Sequence, residues 1–266
     1  MADTVTPRER YRTQVRTEIK EHAWRQIATT GASALSLNAI AKQMGMSGPA
    51  LYRYYANRDE LITELIRDAY RSLADTLRSA AEEATEEAAE KASEESAEES
   101  AEESAEESAE ESAEESAEGV AGLAALAHAV RRWALRDPQR YLLIYGTPVP
   151  GYHAPDDTTA ISSQIMTLLL DAGSAAPPER PDTPLDRHLA GHRDWAAGHP
   201  APPAVLHQAL SFWTRIHGVL SLELAGHFAA MGFDPALLFA AELDDLLARR
   251  PRGHASGPAR RRRDRA

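Results

Sequence analysis

The sequence predicts an all-α protein: a three-helix N-terminal domain built around a helix-turn-helix, joined to a larger helical C-terminal domain. Three observations carry that prediction. Apolar residues recur three and four positions apart along most of the chain, the spacing of one face of a helix. Ser, Asn, Asp, Pro and Gly punctuate these stretches where helices start and stop. No segment alternates apolar and polar residues as a half-buried strand does.

The elements follow in order. Residues 11–29 place Tyr11, Val15, Ile19, Ala23 and Ile27 on one face of a first helix, which Gly31 ends. Ser36 caps a second helix carrying Leu37, Ile40, Ala41 and Met44. Gly45 supplies a turn, and Ser47 caps a third short helix with Pro49 in its first turn. Leu51 and Tyr55 point inward from it, so Leu37, Ile40, Met44, Leu51 and Tyr55 are expected core. Asn57 and Glu60 have capping-box spacing and open a fourth helix through Leu61, Leu65, Ile66, Ala69, Leu73 and Leu77. Helical pattern resumes from about Val120 to the Asp137-Pro138 break and returns at 140–146, 158–172 and, weakly, 185–197. Two strong helices close the pattern at 204–230 and 235–250, the second capped by Asp234 with Pro235 at its first position.

Between these halves lies a repeat. Residues 94–117 are six copies of Glu-Glu-Ser-Ala. Ala and Glu favour helix, but Glu at i and i+4 repel, and a four-residue period drifts about 40° per repeat, so no fixed apolar stripe forms. The stretch is either a solvated helix or a disordered acidic insert. A tolerated expansion is the plain reading of it; the alternative is an acidic mimic that competes with DNA for the basic face. The domain plan is therefore 1–60 helix-turn-helix, 61–81 connecting helix, 82–118 acidic repeat, 119–250 ligand-binding and dimerisation domain, and 251–266 a basic, disordered tail.

Composition narrows the function. The absence of cysteine excludes disulfides, cysteine-ligated zinc and thiol catalysis. No apolar run reaches the ~18 residues of a membrane span, and residues 1–10 hold no secretory signal, so the expectation is a cytoplasmic protein without a membrane partner. The net charge of −12 comes from residues 82–118, whose 18 Glu and one Lys leave the remainder at +5. Residues 1–58 carry nine Lys and Arg against four acids. A basic module suits a polyanion, because Lys and Arg displace the counterions condensed on phosphates.

The most specific signal is residues 36–55. Two short helices meet at Met44-Gly45-Met46, preceded by small Ala41, and the second helix is too short and polar at its start to be a core element. Its first turn, Ser47-Gly48-Pro49-Ala50, offers free backbone N–H groups and small side chains to a major groove. Tyr52, Arg53 and Tyr54 add hydroxyls and a guanidinium for phosphates and base edges.

The run Ser36-Leu37-Asn38-Ala39-Ile40-Ala41, then Gly45-Met46-Ser47-Gly48-Pro49-Ala50-Leu51-Tyr52-Arg53-Tyr54-Tyr55 and Asn57-Arg58-Asp59-Glu60-Leu61, resembles the DNA-binding domain of the tetracycline-repressor (TetR) family. Trp213, His217 and Gly218 are similar to the Trp-His-Gly class of C-terminal domains in that family. The resemblance implies a nine-helix subunit with its recognition helix at 47–53. It places Ser36 and Asn38 against backbone or bases, Ser47, Gly48 and Ala50 at base edges, Tyr52 on a phosphate with Tyr54 nearby, and Arg58 at a phosphate-contacting position usually held by Lys. It also implies a homodimer formed by the last two helices, bound to a palindromic operator in double-stranded DNA and released by a small-molecule effector.

For the effector, Trp133, Tyr141, Tyr145, Tyr152, His153, Met166, Trp213 and His217 are the aromatic, soft or titratable residues able to line a cavity. No motif calls for a cofactor. A metal-dependent enzyme is the remote rival: His188 and His192 have i, i+4 spacing, with Asp194 or His199 as a third ligand, yet no acid or nucleophile stands at recognisable spacing. A dimeric regulator without an effector is the nearer alternative, and a closed apolar cavity in the C-terminal helices distinguishes the two.

Overall fold

The computed structural model describes residues 6–98, 107–146, 156–178 and 180–248, with the backbone alone for 92–98, 107–115 and 156–157. Tyr152, His153 and the basic tail 251–266 lie outside the described residues. Among those described there are ten α-helices, one more than expected, and no strand: α1 Pro7–Thr30, α2 Leu37–Gln43, α3 Gly48–Leu51, α4 Arg58–Glu98, α5 Glu107–Arg136, α6 Pro138–Tyr145, α7 Asp156–Ala175, α8 Pro184–Leu189, α9 Pro203–Leu224 and α10 Pro235–Leu247. No described helix is long and apolar enough to cross a membrane.

The chain forms two cores. In the first, Val15, Ile19, Ala23 and Ile27 of α1 meet Leu37, Ile40 and Ala41 of α2, Leu51 of α3, Tyr55, and Leu61, Ile62, Leu65 and Ile66 of α4. Met44 is only partly buried against it. The second core begins farther along the same helix, at Leu73 and Leu77, and collects Leu126, Val130 and Trp133 of α5, Leu169 of α7, Phe212 and Ile216 of α9 and Phe239 of α10. Thus α4 belongs to both. Helix α6 bridges them too: Leu143 is buried in the first core, while Tyr141 is buried in the second.

Local signals set the helix ends, with corrections. The first helix starts earlier than the apolar pattern, at Pro7, because Thr6 and Glu9 form a capping box. Glu60 takes Asn57 Oδ1 on its backbone N–H, but its own carboxylate reaches back to the N–H of Ala56 rather than of Asn57. The helix expected over 204–230 stops at Leu224: Gly226 adopts φ +78°, a left-handed conformation that ends helices. The weak helix expected over 185–197 is α8 followed by a separate 3-10 turn at Asp194–Ala196, so His188 and His192 do not share a helix. Their rings stack at 4.0 Å and His192 Nδ1 faces the His188 carbonyl. His199 is held elsewhere, on Asp171, and no three His, Asp or Glu gather for a metal among the described residues.

The acidic segment is helical on both described sides. Helix α4 runs to Glu98 and α5 starts at Glu107. At 1.5 Å per residue the 41 residues of α4 span about 61 Å, so its acidic turns lie at the end opposite the helix-turn-helix. Ser72 bonds Trp133, and Ala81 to Ala88 lie opposite Gly122 to Glu118 across a shared groove: α4 and α5 are antiparallel. The acidic turns prolong this pair away from the basic N-terminal face, which leaves the competing-mimic reading without a contact in the described residues.

Candidate functional site

The surface expected to face DNA is assembled from two helix starts and the turn between them. Met46 N–H donates to the Ala41 carbonyl at 2.8 Å, and Gly45, at φ +66°, lets the chain reverse there. This brings the first turn of α3 beside that of α2: a Cβ added to Gly48 would stand 3.5 Å from Asn38 Oδ1. Ser36 Oγ accepts from the N–H of Ala39, so Ser36 caps α2 as expected. Ser47 occupies the cap position of α3 but its side chain makes no cap hydrogen bond. Its hydroxyl is therefore exposed and uncommitted to the helix. Asn38, Ser47, Pro49, Tyr52 and Arg53 are exposed, while Gly48 and Ala50 are half-buried. Helix α3 is a single turn, and Tyr52 and Arg53 follow it.

Two further candidates sit differently. Tyr54 is half-buried against the N-terminal core, and its carbonyl accepts from Arg16 Nη1 at 3.1 Å. Arg58 is committed inside the domain: its guanidinium donates to the carbonyls of Ala32 and Ser33 and pairs with Asp59. It ties the start of α4 to the turn after α1, a task that its place in the motif does not reveal. Tyr55 carries the Arg16 guanidinium 4.4 Å over its ring, and burial pushes its hydroxyl up to about 12; it is core.

In the C-terminal domain, α6 and α9 bring four of the expected residues together. Tyr145 lies 4.3 Å from His217 and 5.7 Å from Trp213 between ring centroids, and Tyr141 stacks on His217 at 5.5 Å. The Tyr141 hydroxyl touches His217 Nδ1 at 3.0 Å, the His217 carbonyl at 3.2 Å and Ser221 Oγ at 2.9 Å. Trp133 adjoins Tyr141 and donates to Ser72 Oγ of α4. Met166 packs on the same core from α7. Burial lowers His217 to about 3 and pushes Tyr141 to about 12, so both are neutral at physiological pH. His217 Nε2 is buried without a partner. Whichever ring nitrogen carries the proton, one polar atom is orphaned, at a cost of about 1–3 kcal/mol.

A cavity of about 130 Å³ lies elsewhere, between α5, α7, α9 and α10, with Leu123, Phe212, Leu246 and Leu247 in its walls. One side is fixed by Asp186, a fully buried carboxylate held well below its usual range by Arg180, with Thr183 and His207 adding hydrogen bonds. Thr183 and Asp186 are the capping box of α8, Arg180 precedes them, and His207 comes from α9.

The outer face of α9 and α10 is apolar and small. Gly218, Leu222 and Ala225 are exposed along α9 and its end, with Leu237, Ala240 and Ala241 on α10. A Cβ added to Gly218 would meet nothing within 4 Å, whereas Ser221, three residues on, turns inward to Tyr141.

A helix-turn-helix with exposed polar residues at its start, carried on a helix that enters a second helical domain, defines a DNA-binding regulator. The comparisons specify which kind. Residues 19–65 match the model of bacterial regulatory proteins of the tetR family, and residues 123–246 match the tetracyclin repressor-like C-terminal domain. The chain is 32% identical over 247 residues to the HTH-type transcriptional regulators Rv1816 of Mycobacterium tuberculosis and Mb1846 of Mycobacterium bovis, covering 89% of this chain and 92% of theirs. The crystal structure of SCO4313 is 60% identical, with a TM-score of 0.71 over 91% of this chain and 99% of that one. A protein from Rhodococcus sp. RHA1, 20% identical with a TM-score of 0.55, shares the fold. The chain belongs to the TetR family of transcriptional regulators.

Proposed function

We propose that this regulator is a homodimeric repressor that binds a palindromic operator and is released by a small-molecule effector. The exposed small-residue face of α9 and α10 meets its copy, which sets two recognition segments about 34–36 Å apart, one turn of DNA. Ser36, Asn38, Ser47, Gly48, Pro49, Ala50, Tyr52 and Arg53 contact DNA, with Tyr54 and Arg58 acting behind them to hold that surface.

The observation that supports release is the position of α6. Its Tyr141 and Tyr145 enclose His217, while its Leu143 is buried in the N-terminal core and its Arg140 lies 5.2 Å over Trp24 of α1. His217 Nε2 is sealed from water, so a ligand that reaches it with a hydrogen-bonding group must displace Tyr145 or Trp213. Displacing Tyr145 moves α6, and α6 pulls on the domain that holds the recognition segment. A coupling of about 1–3 kcal/mol is the usual scale of such a switch. The cavity of about 130 Å³ is partly open and mixed in polarity rather than closed and apolar, and it offers an effector a second place to bind.

The test is selection of bound duplexes from a random pool, then screening small molecules for release. A two-fold symmetric consensus and a compound that lowers operator affinity at least about fivefold are expected. A consensus without symmetry refutes the dimeric reading; a compound that binds the chain but leaves operator affinity unchanged refutes the switch.

A further inference from the structure

The nine Lys and Arg of residues 1–58 are not equivalent in the folded chain. Arg16 pairs with Glu64, Lys20 with Asp68 and Arg58 with Asp59. Arg8, Arg10 and Arg12 are exposed on the first two turns of α1 and have no ion pair among the described residues. Their acidic neighbour Glu9 is occupied in the capping box with Thr6.

The ion pairs fix how α1 lies. Arg16–Glu64 and Lys20–Asp68 tie the middle of α1 to α4, while Arg58 at the start of α4 reaches the carbonyls of Ala32 and Ser33 just past the end of α1, so the two helices cross rather than run in register. Residues 6–14 are all exposed before the first buried residue, Val15, so the first two turns of α1 overhang their own domain. At 100° per residue, Arg8, Tyr11 and Arg12 fall within about 60° of Val15 and prolong its inward face, whereas Arg10 lies about 140° away. Tyr11 is 67% exposed on that inward face. The overhang is also at the DNA-facing end, since Arg16, one turn after Arg12, holds the carbonyl of Tyr54 beside Arg53 and Tyr52.

We infer that Arg8 and Arg12, with the Tyr11 hydroxyl between them, clamp DNA phosphates flanking the stretch met by α3. Two guanidiniums and a phenol on a face with no described residue paired to them suit a row of phosphates, which they neutralise without reading sequence. The inference rests on the DNA-binding reading of α2 and α3.

The experiment measures binding of the full chain to a mixed-sequence duplex by fluorescence anisotropy over a range of salt. In Arg8→Ala/Arg12→Ala, the slope of log affinity against log salt falls by about 0.9 for each phosphate no longer neutralised, and affinity drops at least about tenfold near 0.1 M salt. Arg10→Ala stays within about twofold, and Arg8→Lys/Arg12→Lys keeps the slope. Coincident melting curves establish that the exposed substitutions leave the fold intact. An unchanged slope in the double alanine variant overturns the clamp, and so does an equal fall in affinity for Arg10→Ala, which indicates a diffuse field instead. If the unaltered chain bound no duplex, the DNA-binding reading itself would fail; the two failures are distinct.

Discussion

The helix-turn-helix surface and the aromatic cluster both hang on α4, yet they are specified in opposite ways. The first is local. Its parts lie within residues 36–54, and caps, a left-handed glycine and a Pro-started turn place them. The second is assembled from distance: Tyr70 and Ser72 of α4, Trp133 of α5, Tyr141 and Tyr145 of α6 and Trp213, His217 and Ser221 of α9. A surface presented by a short motif tolerates change behind it. A buried cluster does not, because each member is another's packing partner. Substitutions in the two regions should therefore differ in kind as well as in size.

The largest effect belongs to the cluster. Trp133 is fully buried and donates its indole N–H to Ser72 Oγ. Trp133→Ala leaves a cavity and takes that donor away, and should cost about 3–5 kcal/mol in urea unfolding followed by helical circular dichroism. The N-terminal half of α4, pinned to α1 by Arg16–Glu64 and Lys20–Asp68, should keep its helicity at denaturant concentrations where the remainder has melted. Simultaneous melting of both halves would show that the two regions are one cooperative unit, and would break the comparison.

The next effect is read in pH. Burial holds folded His217 neutral down to about 3, while the unfolded chain protonates near its ordinary value of about 6.5. The unfolded state then binds more protons between those values. The stability that the neutral imidazole contributes is whole above about 6.5 and is lost as pH falls toward 3. From about pH 7 to about pH 5 this residue alone costs about 2 kcal/mol. His217→Phe removes that slope, and Tyr141 keeps Ser221 Oγ as a partner. Unfolding free energies of the two chains should converge by about 2 kcal/mol over this interval. Parallel curves would mean that His217 is open to water.

How much of this was legible in the sequence follows the same division. The all-α class, the helix-turn-helix, the core residues Leu37, Ile40, Leu51 and Tyr55 and the cap at Ser36 show in local spacing, even though α1 and α4 are what bury that core. Convergence of Tyr141, Tyr145, Trp213 and His217 was legible only as a set of residue types; their meeting depends on how α6 and α9 pack. The cavity walled by Leu123, Phe212 and Leu246 left no trace, since its wall residues meet only through the packing of α5 against α9 and α10. Arg58 misled because motif position speaks of what faces DNA, not of the carbonyls of Ala32 and Ser33 behind it. The end of α9 was misplaced because apolar residues continue to Phe228 past the break at Gly226, which a left-handed φ of +78° dictates.

In the local region the effects are smaller and separable. Gly45 has open space where a Cβ would go, so Gly45→Ala meets no neighbour and pays only for φ +66° in an L-residue, about 1–2 kcal/mol in thermal unfolding. A larger destabilisation would reveal a packing role at the turn.

Ser36 and Ser47 sharpen the comparison most finely. Both occupy helix cap positions, but only Ser36 accepts a cap hydrogen bond, a long one at 3.4 Å from the N–H of Ala39. Ser36→Ala should cost about 0.5 kcal/mol, the low end for a cap. Ser47→Ala removes no hydrogen bond from the folded chain and should leave stability unchanged within about 0.3 kcal/mol. Its hydroxyl is then free for DNA, and deleting one hydrogen bond to the duplex should weaken operator binding about fivefold to tenfold. Stability and affinity thus move apart at Ser47 and together at Ser36. If Ser47→Ala destabilised the chain as much as Ser36→Ala, its hydroxyl would be capping α3 in solution, and α3 would owe its single turn to that bond rather than to Pro49 and the packing of Leu51.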